Sequence, residues 1–127
     1  MRVTQCILGA ASGAVSFLLG GWTAALQALI IFIVVDYAVG VVIAMYLGEL
    51  NSKKGFRGIA KKVLILVLVA VAHLLDGVIF EGGYFLRDAV IFFYIANEVI
   101  SILENIGKTK VPIPQKLKNA VEILKDK

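Results

Sequence analysis

Four long apolar segments, separated by short polar or basic stretches, constrain this chain more than any other feature. They cover residues 6–19, 24–47, 63–80 and 89–103. At about 1.5 Å per residue, the second and third segments match a hydrocarbon core of roughly 30 Å, whereas the first is short. The fourth reaches a spanning length if residues 87–106 are helical. The sequence therefore predicts an all-α membrane protein with four transmembrane helices, or three if the first segment does not cross.

The composition supports a membrane location. Hydrophobic residues make up 60% of the 127 residues, and the mean hydropathy is +0.91. Ordinary soluble domains contain roughly 45 to 50% apolar residues, and so small a globule has too little interior to bury this excess. The remaining apolar side chains must contact lipid or partner chains.

The first segment has two interpretations. Arg2 precedes it and small residues follow near residues 22–25, which is also the pattern of a cleaved signal peptide. However, the next apolar segment begins almost at once and leaves no translocated domain to export. A helical hairpin that turns at Gly20 and Gly21, with Trp22 at the membrane interface, fits the sequence better.

The basic residues predict the orientation in the membrane. A central cluster comprises Lys53, Lys54, Arg57, Lys61 and Lys62, and six further lysines follow residue 103. With four spans and both termini in the cytoplasm, only Arg87 of the 13 basic residues lies outside, as the excess of lysine and arginine in cytoplasmic loops requires. Three spans would move only Arg2. Because the basic clusters flank apolar spans and do not form one continuous face, the bilayer explains them better than nucleic acid does.

The sequence divides into a transmembrane domain over residues 1–107, with spans near 6–19, 24–47, 63–80 and 87–106, and a cytoplasmic basic tail over residues 108–127. A tail helix is expected to begin near Pro114, because proline favours the first turn of a helix. Its apolar side comprises Leu117, Ala120, Val121 and Leu124. This amphipathic helix is either solvated or self-associating in the cytoplasm, or lies on anionic lipid headgroups.

Polar side chains inside the apolar segments are the candidate functional residues. An ionised Asp at the centre of a span costs about 2.5 to 3.5 kcal/mol, so such groups usually face a bundle interior or water. Asp36 is nearly central in its span and is either protonated, paired with another helix, or exposed to an aqueous path. The candidate pore-lining or interhelical residues are Asp36, His73, Asp76, Tyr94, Asn97, Glu98 and Ser101.

Two local patterns stand out among these candidates. In the fourth segment, polar residues recur at steps of three and four: Tyr94, Asn97, Glu98, Ser101, Glu104 and Asn105. This polar stripe is either a packing seam between helices or a pore wall. In the third segment, His73 and Asp76 share a helix face and are expected to form a hydrogen-bonded packing pair. A metal site is not expected there, because it needs at least three protein ligands.

Small residues spaced by four predict close helix approach, within or between chains. These helix-packing residues are Gly9, Gly13, Ser16, Gly40 and Ala44. The single cysteine, Cys6, excludes an internal disulfide. No catalytic motif, cofactor site or metal site can be assembled from the sequence, so an enzyme is not expected.

Several short motifs occur in order from residue 36 to the end of the chain. They are Asp36-Tyr37, NSKKGFRGIAKK (51–62), VAHLLD (71–76), VIFFYIANE (90–98), ILEN (102–105) and VPIP (111–114). Together they resemble the toxin-secretion and phage-lysis holin family. The resemblance implies a small protein that oligomerises in the bacterial cytoplasmic membrane and opens lesions through which an endolysin, or a large toxin, leaves the cell.

The resemblance also implies the partners of the chain. These are the lipid bilayer, further copies of the chain, an endolysin or toxin that need not touch it, and a candidate antiholin; nucleic acid is not among them. Two other functions fit the residues. One is a small dimeric four-helix transporter or ion channel subunit that uses Asp36 or Glu98. The other is a membrane scaffold that docks a partner through the tail helix.

Overall fold

The computed structural model describes residues 2–125, and within them the chain forms five α-helices and no strand. The helices are α1 Arg2–Leu19, α2 Ala24–Leu47, α3 Ser52–Ile79, α4 Phe85–Gly107 and α5 Gln115–Lys125. The first four are long and apolar enough to cross a membrane, and α5 is the short helix expected after Pro114. The predicted all-α class is therefore confirmed.

Helix α3 begins well before the apolar segment that predicted it. Asn51 caps the helix, because its side chain accepts a hydrogen bond of 2.8 Å from the backbone N–H of Lys53. The central basic cluster, which precedes the span predicted over residues 63–80, therefore lies on the first turns of α3. Hydropathy alone could not place this start, because charged helical turns and charged loops have the same composition.

The connection between α1 and α2 turns at Gly20 and Gly21, with φ of 83° and 101°. Only glycine adopts such angles readily. A side chain at Gly20 would also place its Cβ 2.7 Å from His73 Nδ1. This close approach brings the end of α1 to α3, and α1 packs on α3 and not on α2. The turn was predicted, but the two helices do not form a packed hairpin.

Helix α4 is the centre of the bundle, since α2, α3 and α5 all pack against it. The C-termini of α2 and α4 and the N-terminus of α3 meet at one end of the bundle, which we call the basic end. We call the other end of the bundle the opposite end. Between them lies one apolar core, in which side chains from α1 to α4 meet. The core residues are Leu19, Leu26, Leu29, Ile33, Val69 and Ile91.

The outer surface of the bundle is apolar. Large hydrophobic side chains such as Phe17, Val42, Leu64 and Phe93 are exposed on all four long helices. Helix α1 is the extreme case, because Leu19 is its one buried residue among residues 2–19. A surface of this kind is stable against lipid or against other copies of the chain, and not in water.

Candidate functional site

Three charged side chains from three helices meet inside the bundle. Lys62 Nζ, on α3, donates hydrogen bonds to Asp36 Oδ2 on α2 at 2.7 Å and to Glu98 on α4 at 2.9 and 3.1 Å. Ser101 Oγ donates to the other oxygen of Asp36 at 2.8 Å. Asp36 and Glu98 are buried, and the Lys62 side chain is 18% exposed. We call Asp36, Lys62 and Glu98 the ion cluster.

The ion cluster forms because three antiparallel helices bring these residues to one level. Lys62 lies ten residues after the start of α3, which is about 15 Å from the basic end. Asp36 and Glu98 lie eleven and nine residues before the ends of α2 and α4, so they reach nearly the same depth. The ammonium group then stands between two carboxylates that would otherwise be unpaired in an apolar environment.

The sequence had assigned Lys62 to the cytoplasmic basic cluster, and the structure corrects this assignment. Lys53, Lys54, Arg57 and Lys61 are exposed, whereas Lys62 points into the bundle. Helical spacing could have identified it, because Lys62, Val69 and Asp76 follow one another at intervals of seven residues and therefore share a face. Val69 and Asp76 are both buried. A second indication that Lys62 faces inward was that Asp36 and Glu98 lie in apolar spans and need a cation to pair with.

A cavity of about 300 Å³ leads from the basic end to the ion cluster. We call it the vestibule. Its inner wall includes Asp36, Lys62 and Ser101, and its mouth includes Asn51 and Lys54. It exists because α2 and α3 make few direct contacts with each other, since each packs on α4. The vestibule is large enough to hold several water molecules at roughly 30 Å³ each.

The ring of Tyr37 crosses between α2 and α3 beside the vestibule. A Cβ added at Gly55 would lie 3.4 Å from the Tyr37 hydroxyl oxygen, and one at Gly58 would lie 3.5 Å from the ring. These two glycines therefore give Tyr37 its place against α3. Gly55 and Gly58 were not among the predicted helix-packing residues, and Gly20 was predicted only as part of a turn, although these three make the closest contacts among the glycines of the described residues.

A second polar cluster lies at the opposite end, where α3 connects to α4. Both carboxylate oxygens of Asp76 accept hydrogen bonds from the first backbone N–H groups of α4, at 2.8 Å from Leu86 and 2.9 Å from Arg87. Asp76 thus caps a helix whose own N-cap residue, Tyr84, makes no side-chain cap. The expected hydrogen bond between His73 and Asp76 is absent from the described residues, and His73 stacks on Tyr84.

Arg87 is fully buried, although the sequence predicted it as the one basic residue outside the cytoplasm. Its Nη2 donates to Thr23 Oγ1 at 2.9 Å and to the Gly21 carbonyl at 3.3 Å. Its guanidinium carbon lies 4.9 Å from the centroid of the Tyr84 ring. Arg87 therefore joins the start of α2 to the start of α4.

The polar stripe of α4 is divided between two faces. Glu98 and Ser101 face inward to the ion cluster, and Asn105 lines the vestibule. Tyr94 packs against the apolar core. Asn97 and Glu104 are exposed on the outside of the bundle. Only one edge of the stripe is thus an internal packing seam.

Among residues 2–125, three of the five predicted small residues approach no other helix closely. A Cβ added at Gly9, Gly13 or Gly40 would meet nothing within 4 Å, and Gly40 and Ala44 line the vestibule. Ser16 is only partly buried. Among residues 2–125, no group of three or more His, Cys, Asp or Glu side chains could hold a metal ion.

Comparison with known proteins identifies the family. The sequence model of the bacteriophage holin family matches residues 13–126, which is most of the chain. The chain belongs to the bacteriophage holin family. The resemblance found in the sequence motifs is thereby confirmed, and the holin family together with the four apolar helices indicates a multi-pass membrane protein.

Individual relatives agree with this assignment. A probable holin of Bacillus phage phi105 is 31% identical over 99 residues, which cover 78% of this chain and 73% of the relative. An uncharacterized protein of Halalkalibacterium halodurans is 46% identical, covering 90% of this chain and 87% of its own length. One of Listeria monocytogenes is 50% identical, covering 84% and 76%. No solved structure matches the chain.

Substitution of Lys62 tests the ion cluster. Lys62→Met should lower the free energy of unfolding by about 3–5 kcal/mol, because it leaves two buried carboxylates without their cation. Lys61→Met, at the neighbouring exposed position, should change it by less than about 0.5 kcal/mol. Unfolding in mixed micelles would measure both variants. Equal, small effects would show that Lys62 does not hold the bundle together.

Proposed function

We propose that this holin-family protein oligomerises in the bacterial cytoplasmic membrane and forms lesions that release an endolysin, or a large toxin, from the cell. One observation carries the proposal: charged and polar side chains are enclosed inside a bundle whose outer surface is apolar. Such a bundle inserts into lipid without a pore, yet contains the polar groups that the wall of an aqueous lesion requires.

The proposed mechanism is a rearrangement of these buried groups. At low density each chain keeps the ion cluster and the inner edge of the polar stripe enclosed by its own helices. Beyond a critical density, copies associate and the helices separate, so that Asp36, Glu98 and Ser101 line water. Few direct contacts join α2 to α3, and the vestibule already separates them at the basic end, so this is where separation would begin.

Asn97 supports association between copies. It is exposed on the outside of α4, thirteenth of the 23 residues of that helix, and therefore near mid-membrane depth. A lipid-facing amide leaves its hydrogen-bonding groups unsatisfied, whereas the same amide can hydrogen-bond across a helix interface for roughly 0.6–2 kcal/mol. We infer that Asn97 lies at a contact between two chains in the bilayer.

The basic end is proposed to face the cytoplasm. Lys53, Lys54, Arg57 and Lys61 are exposed at this end, and the lysines of the tail follow α4 at the same end, whereas Arg87 at the opposite end is buried. This distribution follows the excess of lysine and arginine on the cytoplasmic side of membrane proteins. The C-terminus would then be cytoplasmic.

Labelling of single cysteines tests this orientation. Cys6 is the one cysteine, so Cys6→Ser gives a cysteine-free background. Into it, Lys53→Cys places a thiol at the basic end and Glu81→Cys places one at the opposite end, and both positions are exposed. A membrane-impermeant maleimide added to intact cells should label only Glu81→Cys. Preferential labelling of Lys53→Cys would show the reverse orientation.

Induced expression in a bacterium tests the holin function. Growth and membrane potential should collapse abruptly, and lysis should follow only when an endolysin is co-expressed. A transporter or channel that used Asp36 or Glu98 would instead give graded, substrate-dependent flux without sudden killing. One observation favours this second function: the vestibule reaches Asp36 from the basic end.

Variants of α4 connect the function to the polar stripe. Asn97→Leu combined with Glu98→Leu should delay or abolish killing, because it removes one outward and one inward polar group. The control is Phe93→Leu, an apolar change at an exposed position of the same helix. Unchanged killing by the double variant at equal membrane levels would mean that the stripe serves packing alone.

A further inference from the structure

The ion cluster has an unbalanced charge when all of its groups are ionised. Asp36 from α2 and Glu98 from α4 carry two negative charges, and Lys62 from α3 carries one positive charge. The vestibule adds Glu49 and Lys54, which have opposite signs, and the Tyr37 phenol. One negative charge therefore has no partner, and a net charge enclosed among spanning helices is costly.

We propose that the ion cluster is a proton-binding site, with the proton on Glu98 and with access from water in the vestibule. A metal cation would not serve, because Lys62 Nζ lies 2.7 Å from Asp36 and 2.9 Å from Glu98 and already occupies the space between the carboxylates. It would also repel a second cation. A proton needs no separate space and brings the charge of the cluster to zero.

The hydrogen bonds assign the proton to Glu98. Asp36 accepts from two donors, Lys62 at one oxygen and Ser101 at the other, and both contacts are shorter than 2.9 Å. Among residues 2–125, Lys62 is the one donor to Glu98, at 2.9 and 3.1 Å. Hydrogen bonds to the ionised form stabilise a carboxylate, so Asp36 is the better-stabilised anion and Glu98 accepts the proton more readily.

The vestibule supplies the path for the proton. Its inner wall includes Asp36, Lys62 and Ser101, and Lys62 in turn donates a hydrogen bond of 2.9 Å to Glu98. Lys62 passes one proton to the Glu98 carboxylate, which becomes a neutral carboxyl group, and regains one from a hydronium ion in the vestibule, which is left as a water molecule. Toward the opposite end, the apolar core closes the path with Ile33, Val69 and Ile91. The site therefore exchanges protons with one side of the membrane only.

Proton occupancy would regulate the proposed lesion formation, and this consequence rests on the proposed function. With Glu98 neutral, the cluster holds three helices together without excess charge. Loss of the proton leaves a net negative charge, which is better solvated by water than by the bundle interior. A more alkaline solution at the basic end should therefore favour the open, hydrated arrangement.

Infrared spectroscopy of the protein in lipid nanodiscs tests the site directly. The chain has five glutamates, and Glu49, Glu81, Glu104 and Glu122 are all exposed. Changing these four to Gln leaves Glu98 as the only glutamate, so carbon-13 labelling of glutamate reports on it alone. We expect a carboxylic-acid band near neutral pH that is lost in alkaline solution. A carboxylate band alone at neutral pH would overturn the proposal.

Two pairs of variants complete the test. Glu98→Gln should abolish the glutamic-acid band of the otherwise unaltered chain, whereas Glu104→Gln should leave it unchanged. Gly40→Leu fills the vestibule and should slow deuterium exchange of the band several-fold, whereas Gly77→Leu, at an equally open position outside the vestibule, should not. Equal exchange rates would overturn access through the vestibule.

Proton binding and lesion formation can be judged separately, because the spectra require no lysis. A protonated Glu98 in a chain that does not kill cells would overturn the proposed function and leave the site standing. Abrupt killing by a chain whose Glu98 is ionised at neutral pH would overturn the proton-binding site and leave the proposed function standing.

Discussion

The contact of the Lys62 ammonium group with the carboxyl groups of Asp36 and Glu98 is the interaction on which the rest of the structure depends. An ionised Asp or Glu within a span is tolerated only if another group of the protein compensates it. Because Asp36, Lys62 and Glu98 lie on different helices, their pairing fixes the depth of α2, α3 and α4 relative to one another. The same pairing places these charged groups inside the bundle, and the outer surface consists of apolar side chains.

A second set of contacts fixes the other end of the same three helices. Asp76 caps α4 from α3, and Arg87 bonds the turn that precedes α2. The apolar core lies between these contacts and the ion cluster, so each of the three helices is held by polar contacts on both sides of an apolar layer. Helix α1 has no such polar contact with the ion cluster and is mostly exposed, which makes it the helix most available to other chains or lipid.

Much of the fold could be predicted from the sequence, because long apolar segments in a bilayer have few alternatives to helix. The span predicted over residues 24–47 coincides with α2, and the tail helix starts where the prolines indicate. The partners of the polar residues could not be predicted, since they depend on how helices face each other in space. Lys62 is one of the basic residues of the central cluster, and residue type alone does not distinguish it from its exposed neighbours. Asp76 lies one turn from His73 in the sequence, but it caps the next helix, α4.

The proposed function rests on the same distribution of charge. A bundle that encloses its polar groups can reside harmlessly in a membrane, and one that exposes them can surround water. The most direct test of this account measures, by nitrogen–carbon dipolar recoupling in lipid bilayers, the distance from Lys62 Nζ to the side-chain carboxyl carbons of Asp36 and Glu98. Hydrogen-bonded contact with both carboxyl groups is expected in the closed bundle. Strong coupling to neither, with Lys62 hydrated at the membrane surface, would contradict it.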